Sequence, residues 1–355
     1  MSPVKRISSG RAVAIPAARR AAARALARIL KRDMRVALIT HVNADGDGSG
    51  SEVGLWHLLA ARGIRAVIAN PTPYPERYRF LLRGVEHADK TPQALKHVQR
   101  ADAIVVLDIS DLGRLGQLGP AVAAAGVPVA CIDHHATNGS LPPGPRLVDA
   151  KACATGELIY DLAHSLGWPL SPDAARALYV AIMTDTGGFR FSNTTPRCLQ
   201  VAAHLLQHGV DPEQVYTEVY ATSSEGRIRL IAEVLETLVV EPDRGISWVT
   251  VPVGSMNRQG VDAEDLEGVV EFARSVQGTR MALLFRQLAN GRIKVSFRSV
   301  GDVDVASLAA RFGGGGHRKA AGASLEGTLA AVQTTVLDAA RAFVDANLAY
   351  IPSHG

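Results

Sequence analysis

Between residues 35 and about 190, short apolar runs alternate with longer stretches in which apolar positions recur at helical spacing. RVALIT, RAVIAN, AIVVLD and VPVACID each stop where polar residues or glycine begin, and they read as strands. SEVGLWHLLAARG and ATGELIYDLAHSLG carry a helical period. This alternation predicts an α/β domain with a largely parallel sheet. Ligands of such sheets bind beyond the carboxyl ends of the strands, so the residues that follow each strand come first in the search for chemistry.

Residues 197–240 carry few breakers and predict a helical connection. From Ile246 the pattern changes: ISWVTVPV, RMALLFRQL and GRIKVSFRSV read as strands around a helix near EDLEGVVEFARSV. Further helices are expected around DVASLAARF and beyond Gly327, which makes a smaller mixed α/β domain. The expected division is 1–195, 196–240 and 241–355, with a cleft between the two domains. Near the start, RRAAARALARILKR superficially resembles an organelle-targeting helix. With Leu26, Ile29 and Leu30 on one side, it reads instead as a helix packed beside the first strand.

Composition narrows the class. A chain of 355 residues with 47% hydrophobic and 20% charged positions is an ordinary globular one, not a disordered one. It has no apolar run long enough to span a membrane, and a soluble, cytoplasmic protein is expected. Cys131, Cys153 and Cys198 form no C-x-x-C pair, so they read as buried small hydrophobes and not as zinc or disulfide partners. A net charge of +4 suits a polyanionic substrate, but charge spread over a whole chain carries little weight.

The unusual residues cluster after the strands. HVNADGDGSGS follows the first strand and offers His41, Asp45 and Asp47 on a glycine-loosened loop. Carboxylates combined with imidazole favour manganese or a similar divalent ion, with magnesium, cobalt and iron not excluded; the plainer reading is an Asp-Gly turn capping the next helix. AIVVLD ends at Asp108, either a bridging carboxylate or a simple turn acid. VPVACI runs into Asp133, His134 and His135, three ionisable groups that are costly to bury without a metal or an anion. Asp185 closes an apolar helical run, where the helix dipole disfavours a carboxylate and a nearby cation would help. In the second domain, Gly313, Gly314, Gly315 and Gly316 precede His317, Arg318 and Lys319, which reads as a phosphate cradle or a flexible hinge. Arg298, at a strand end, is a further anion clamp candidate.

Taken in order, HVNADGDGSGS, VVLDISD, IDHH, TDTGGF and GGGGHRKAAGA resemble the motifs of DHH phosphoesterases that carry a DHH-associated (DHHA1) C-terminal domain. Within that family the resemblance is greatest to compact oligoribonucleases that also remove the 3′-phosphate of 3′-phosphoadenosine 5′-phosphate, the nanoRNases. The resemblance implies a manganese-dependent enzyme, with magnesium or cobalt as substitutes. In it His41 and Asp45 hold one ion, Asp47, His134 and Asp185 hold the second, and Asp108 bridges them. Asp133 stands behind the ligands, His135 faces the scissile phosphate, and Arg298, His317, Arg318 and the amides of Gly313 to Gly316 grip substrate. The implied substrates are short single-stranded RNA or DNA oligonucleotides or nucleotide bisphosphates, and a homodimer is compatible with the family. Ala44 and Gly48 depart from the proline and alanine common at these places, which touches loop rigidity and no ligand. Family II pyrophosphatases, dinucleotide phosphodiesterases, RecJ-like exonucleases and a non-catalytic nucleotide sensor are the alternatives. The GGGGHRK segment argues against the first of these, and the chain length argues against an enzyme of long DNA.

Overall fold

The computed structural model describes residues 13–88, 90–109, 111–136, 140–221, 223–266 and 268–348, without the side chains of Glu264, His317, Asn347 and Leu348. The chain divides into two compact units, Met1–Thr222 and Ser223–Gly355.

The first unit carries five strands: β1 (Arg35–Ile39), β2 (Arg65–Ile68), β3 (Ala103–Leu107), β4 (Val129–Asp133) and β5 (Arg146–Val148). They pair in the order β2-β1-β3-β4-β5, every pairing parallel. Its helices are α1 (Ala17–Ala27), α2 (Gly46–Ala60), α3 (Thr91–Arg100), α4 (Gly119–Ala123), α5 (Thr155–Ser165), α6 (Pro172–Asp185), α7 (Pro196–Gln207) and α8 (Pro212–Tyr220). Apart from charged residues at their ends (Arg35, Arg65, Asp133 and Arg146), the strands are apolar because both faces of the sheet are covered. Val36, Leu38, Val105 and Ile132 join a core with α1, α2, α5 and α6, while Ala37, Ile39, Ile104 and Cys131 face the other way onto α3 and α4.

In this order the chain leaves β1 toward β2 on one side and later returns to β3 on the other. The carboxyl ends of β1 and β3 therefore flank the crevice that every such sheet leaves open. A second feature concentrates the site. Gly46, Gly50 and Gly54 line one face of α2, and a Cβ at each would lie 2.3 Å from Thr184 Oγ1, 2.4 Å from the Ala177 carbonyl and 2.5 Å from Leu178 Cδ2. The bare backbone of α2 thus lies antiparallel against α6, and the start of one helix meets the end of the other.

The second unit opens with α9 (Glu225–Leu235). It continues through β6 (Val239–Glu241), β7 (Ile246–Thr250), α10 (Ser255–Gln259), α11 (Val269–Arg274), β8 (Met281–Gln287), β9 (Ile293–Ser299), α12 (Val305–Ala310), β10 (Gly315–His317), β11 (Ala320–Leu325) and α13 (Leu329–Leu348). The sheet order is β10-β11-β9-β8-β7-β6, antiparallel except between β7 and β8. Leu283, Phe285, Val295 and Phe297 pack with α12 and α13 on one face, and Ala282 and Leu284 pack with α9 and α11 on the other.

The α/β class with a parallel and a mixed sheet is as expected, and the differences are local. Residues 239–241, which straddle the end of the expected helical connection, form a strand because they pair with β7. Helix α1 ends at Ala27, so Ile29 and Leu30 lie beyond it, and it packs on α5 and β5 rather than beside β1. Arg19 is the reason: this buried guanidinium donates to Asp149 at 2.7 Å, Glu157 at 2.6 Å and Asp161 at 2.9 Å.

Candidate metal centre

Two histidines expose the logic of the site. His41 leaves β1 with its Nδ1 2.9 Å from the Val42 carbonyl, and His134 leaves β4 with its Nδ1 3.4 Å from the Ala152 carbonyl. Both Nε2 atoms are buried and neither has a hydrogen-bond partner, an arrangement that costs free energy unless something else binds there. What surrounds them is carboxylate. His41 Nε2 is 3.7 Å from Asp45 Oδ2 and 3.7 Å from Asp108 Oδ2. His134 Nε2 is 3.6 Å from Asp47 Oδ2, 3.6 Å from Asp108 Oδ1 and 3.7 Å from Asp185 Oδ2. These separations are too long for hydrogen bonds and suit two ligands sharing one ion at roughly 2.0 to 2.2 Å each.

Each carboxylate is delivered by a distinct local device. Asp45 caps α2: its Oδ1 accepts the N–H groups of Asp47 at 3.1 Å and Gly48 at 3.0 Å, while Oδ2 stays beside His41. The side chain that caps the helix is thus also one that faces His41. Asp47, 1% exposed, caps a different helix: it accepts the Thr155 N–H at 2.7 Å and the Gly156 N–H at 3.0 Å at the start of α5, whose own N-cap is Ala154. Gly48 is explained here too, because a Cβ would come within 2.6 Å of Thr40 Oγ1.

Asp108 sits at the switch point with φ 57°, a left-handed conformation that L-residues adopt at a cost. Thr155 Oγ1 donates to its Oδ1 at 3.0 Å. Asp185 ends α6, and Asn193 Nδ2 holds both its carboxylate and its carbonyl at 3.2 Å. Three donor groups result: His41, Asp45 and Asp108; Asp47, His134 and Asp185; and Asp108, His134 and His135. Asp108 offers one oxygen toward each imidazole.

Crowding of buried acids makes this cluster electrostatically costly. Burial, and then the neighbouring acids, push Asp47 up to about 7, Asp108 up to about 8 and Asp185 up to about 6. His135, about one-third exposed, donates to Asp133 through Nδ1 at 2.8 Å, and that bond lifts the imidazole to about 9. Asp133 itself is fully buried.

In the second unit the glycine run is not a free loop. Gly315 and Gly316 belong to β10, paired with Gly322 and Ala321 of β11. A Cβ on Gly314 would meet the Gly322 carbonyl at 2.2 Å, and one on Gly316, where φ is 144°, would meet the Ala320 carbonyl at 2.5 Å. Close strand packing is thus one reason for glycine here. Arg298 and His317 both pair with Ala320, so their backbones share one row of the sheet; the side chain of His317 lies outside what the structure describes. Arg298 donates to Glu271 at 2.9 Å, and Arg318 is exposed and donates to the Asp302 carbonyl at 3.1 Å.

Thr155, Gly156, Ser51 and Asn193 hold the carboxylates of Asp47, Asp108 and Asp185 and were not singled out in the sequence. Ser51 donates to Asp47 at 3.1 Å from one turn further along α2. Only the S-N-T-T run after TDTGGF and the threonine opening α5 hint at two of these roles.

The family models decide the relationship. Residues 35–182 match the N-terminal domain of the DHH family and residues 245–349 match the DHHA1 domain. The chain belongs to the DHH family. It is 34% identical over 315 residues to the bifunctional oligoribonuclease and PAP phosphatase NrnA of Thermus thermophilus, covering 86% of this chain and 88% of that one. To the NrnA of Bacillus subtilis it is 28% identical, over 82% and 89% of the two chains. An exopolyphosphatase-related protein from Bacteroides fragilis has a similar structure, with a TM-score of 0.83, 27% identity, and coverage of 92% and 98%. Exonuclease RecJ bound to manganese shares the fold alone, with a TM-score of 0.51 and 17% identity. As a DHH protein, the chain is a hydrolase of phosphoester bonds. Among the described residues no helix is long and apolar enough to cross a membrane.

Proposed function

We propose that this chain hydrolyses short oligonucleotides to mononucleotides and 3′-phosphoadenosine 5′-phosphate to AMP, using two manganese ions. One observation carries the reading: two buried imidazole nitrogens without partners each converge with carboxylates, and Asp108 gives an oxygen to both groups. His41, Asp45 and Asp108 would hold one ion, and Asp47, His134, Asp185 and Asp108 the other. When bound, such a pair supplies Lewis-acid activation of water and charge neutralisation at phosphorus.

The chain's own residues do the rest. The donors from Thr155, Gly156 and Ser51 fix Asp47, and Asn193 fixes Asp185, so the ligand oxygens are set before any ion arrives. His135, held by its Nδ1 bond to Asp133, offers a donor to a phosphoryl or leaving oxygen. Arg298, His317, Arg318 and the Gly313 to Gly316 segment supply the substrate grip; for Arg298 this means exchanging Glu271 for a phosphate. Support for the substrate class comes from the NrnA relatives, which this chain matches over most of its length.

The test compares a 5′-phosphorylated dinucleotide, a 24-mer RNA, 3′-phosphoadenosine 5′-phosphate and pyrophosphate as substrates of the purified chain with manganese. Turnover concentrated on the dinucleotide and the bisphosphate supports the reading. Preference for the 24-mer or for pyrophosphate overturns it.

A further inference from the structure

Beside this cluster of acids stands a cation that pairs with none of them. Arg114 lies in the 3-10 stretch Leu112–Leu118, and its backbone is held at several points. Its carbonyl accepts the Val42 N–H at 2.9 Å, and its own N–H donates to the Asp111 carbonyl at 3.1 Å. Asp111 in turn accepts the N–H groups of Gly113 at 2.7 Å and Ser140 at 2.8 Å. Gly116 turns the stretch with φ 51°, and a Cβ there would meet Val42 Cγ1 at 2.8 Å. Val42 is the residue whose carbonyl orients His41. The backbone of Arg114 is therefore locked against the loop that carries His41 and Asp45.

The residue is half-buried, and its guanidinium makes no hydrogen bond or ion pair with any described residue. Its charge is nevertheless felt at His41, Asp45 and His135, where it opposes protonation. A guanidinium on a half-buried residue, with donors to spare, near Asp45 and bonded to no described acid, is free for another anion.

Charge balance says which. Two divalent ions would just offset Asp45, Asp47, Asp108 and Asp185, leaving a nearly neutral centre for an incoming phosphate. A planar fork of N–H donors beside it restores the attraction and matches two phosphoryl oxygens at once.

We propose that Arg114 is a phosphate-binding residue of the first unit, holding non-bridging oxygens of the substrate phosphoryl group beside the ion held by His41, Asp45 and Asp108. This rests on the two-ion phosphoesterase reading and adds to it a clamp contributed by the metal-binding unit itself.

The experiment uses the full chain loaded with manganese. AMP and inorganic phosphate are titrated calorimetrically into wild type, Arg114→Lys and Arg114→Gln, with manganese affinity and melting temperature measured on the same samples. Arg114→Gln should weaken AMP binding by on the order of tenfold or more, and raise KM for a 5′-phosphorylated dinucleotide similarly. Arg114→Lys should fall between, since it keeps the charge and loses the fork. Manganese affinity should not fall. Unaltered AMP affinity in Arg114→Gln overturns the proposal, and so does a parallel loss of manganese affinity, which would make Arg114 a support of the His41 loop. Absence of turnover by wild type on every phosphoester would sink the activity reading instead, while the AMP titration still judges Arg114.

Discussion

His134 Nε2 stands 3.6 Å from Asp108 Oδ1, too far to share a proton and near enough to share an ion. The same aspartate turns its other oxygen toward His41 at 3.7 Å.

Without metal, the cluster makes stability fall as pH rises. Asp47 at about 7, Asp108 at about 8 and His135 at about 9 are all raised above their ordinary values, so the folded chain binds more protons than the unfolded one between neutrality and pH 9. That stability is present at low pH and is lost as pH climbs through these values. Scanning fluorimetry in EDTA from pH 6.5 to 9 should show a falling melting temperature, and saturating manganese should raise and flatten the curve. A metal-free curve that rises with pH would contradict the assigned cluster.

Asp108 should trade stability for activity. Its left-handed backbone opposes folding, and as pH rises past about 8 so does its buried charge. Asp108→Asn suits the backbone better and removes the charge, so the metal-free variant should melt at or above the wild-type temperature. Its manganese-dependent turnover should drop by about a thousandfold or more, the equivalent of several kcal/mol. Melting and steady-state rates on the same preparation check both halves.

Glycines of the second unit should separate by position. Gly314→Ala and Gly316→Ala push a Cβ into the backbone of β11 and should destabilise that unit by roughly 1 to 3 kcal/mol. A Cβ on Gly315 meets nothing within 4 Å, so Gly315→Ala should leave denaturant unfolding unchanged. Any rise in its KM then reports on substrate and not on folding.

Arg19 ties α1 to α5 through Glu157 and Asp161, both buried. Arg19→Met should cost about 3 to 5 kcal/mol by leaving buried carboxylates short of a partner. Urea unfolding measures this, and a loss below about 1 kcal/mol would mean that Arg197, which also bonds both acids, suffices alone.

Much of this was legible in the sequence, and the reason is physical. Strand-end residues in a parallel sheet are brought together by topology, so His41, Asp108 and His134 announced themselves by following apolar runs. Asp185 was legible because a carboxylate at a helix C-terminus needs an explanation. What stayed hidden depends on tertiary contact. Thr155 matters through a backbone N–H and a hydroxyl that no residue pattern displays, and Arg114 matters through what it does not bond. The spacing of Gly46, Gly50 and Gly54 was visible, but its meaning appears only against α6. Strand β6 and the strand within the glycine run escaped because three-residue strands are set by their neighbours and not by their own pattern.

The most direct test counts manganese ions bound per chain while following turnover of a 5′-phosphorylated dinucleotide in the same titration. Two ions per chain are expected, with turnover that saturates as the second binds and both properties lost in Asp108→Ala. One ion or none at full activity, or Asp108→Ala that still binds two ions, would contradict the shared carboxylate at the centre of this enzyme.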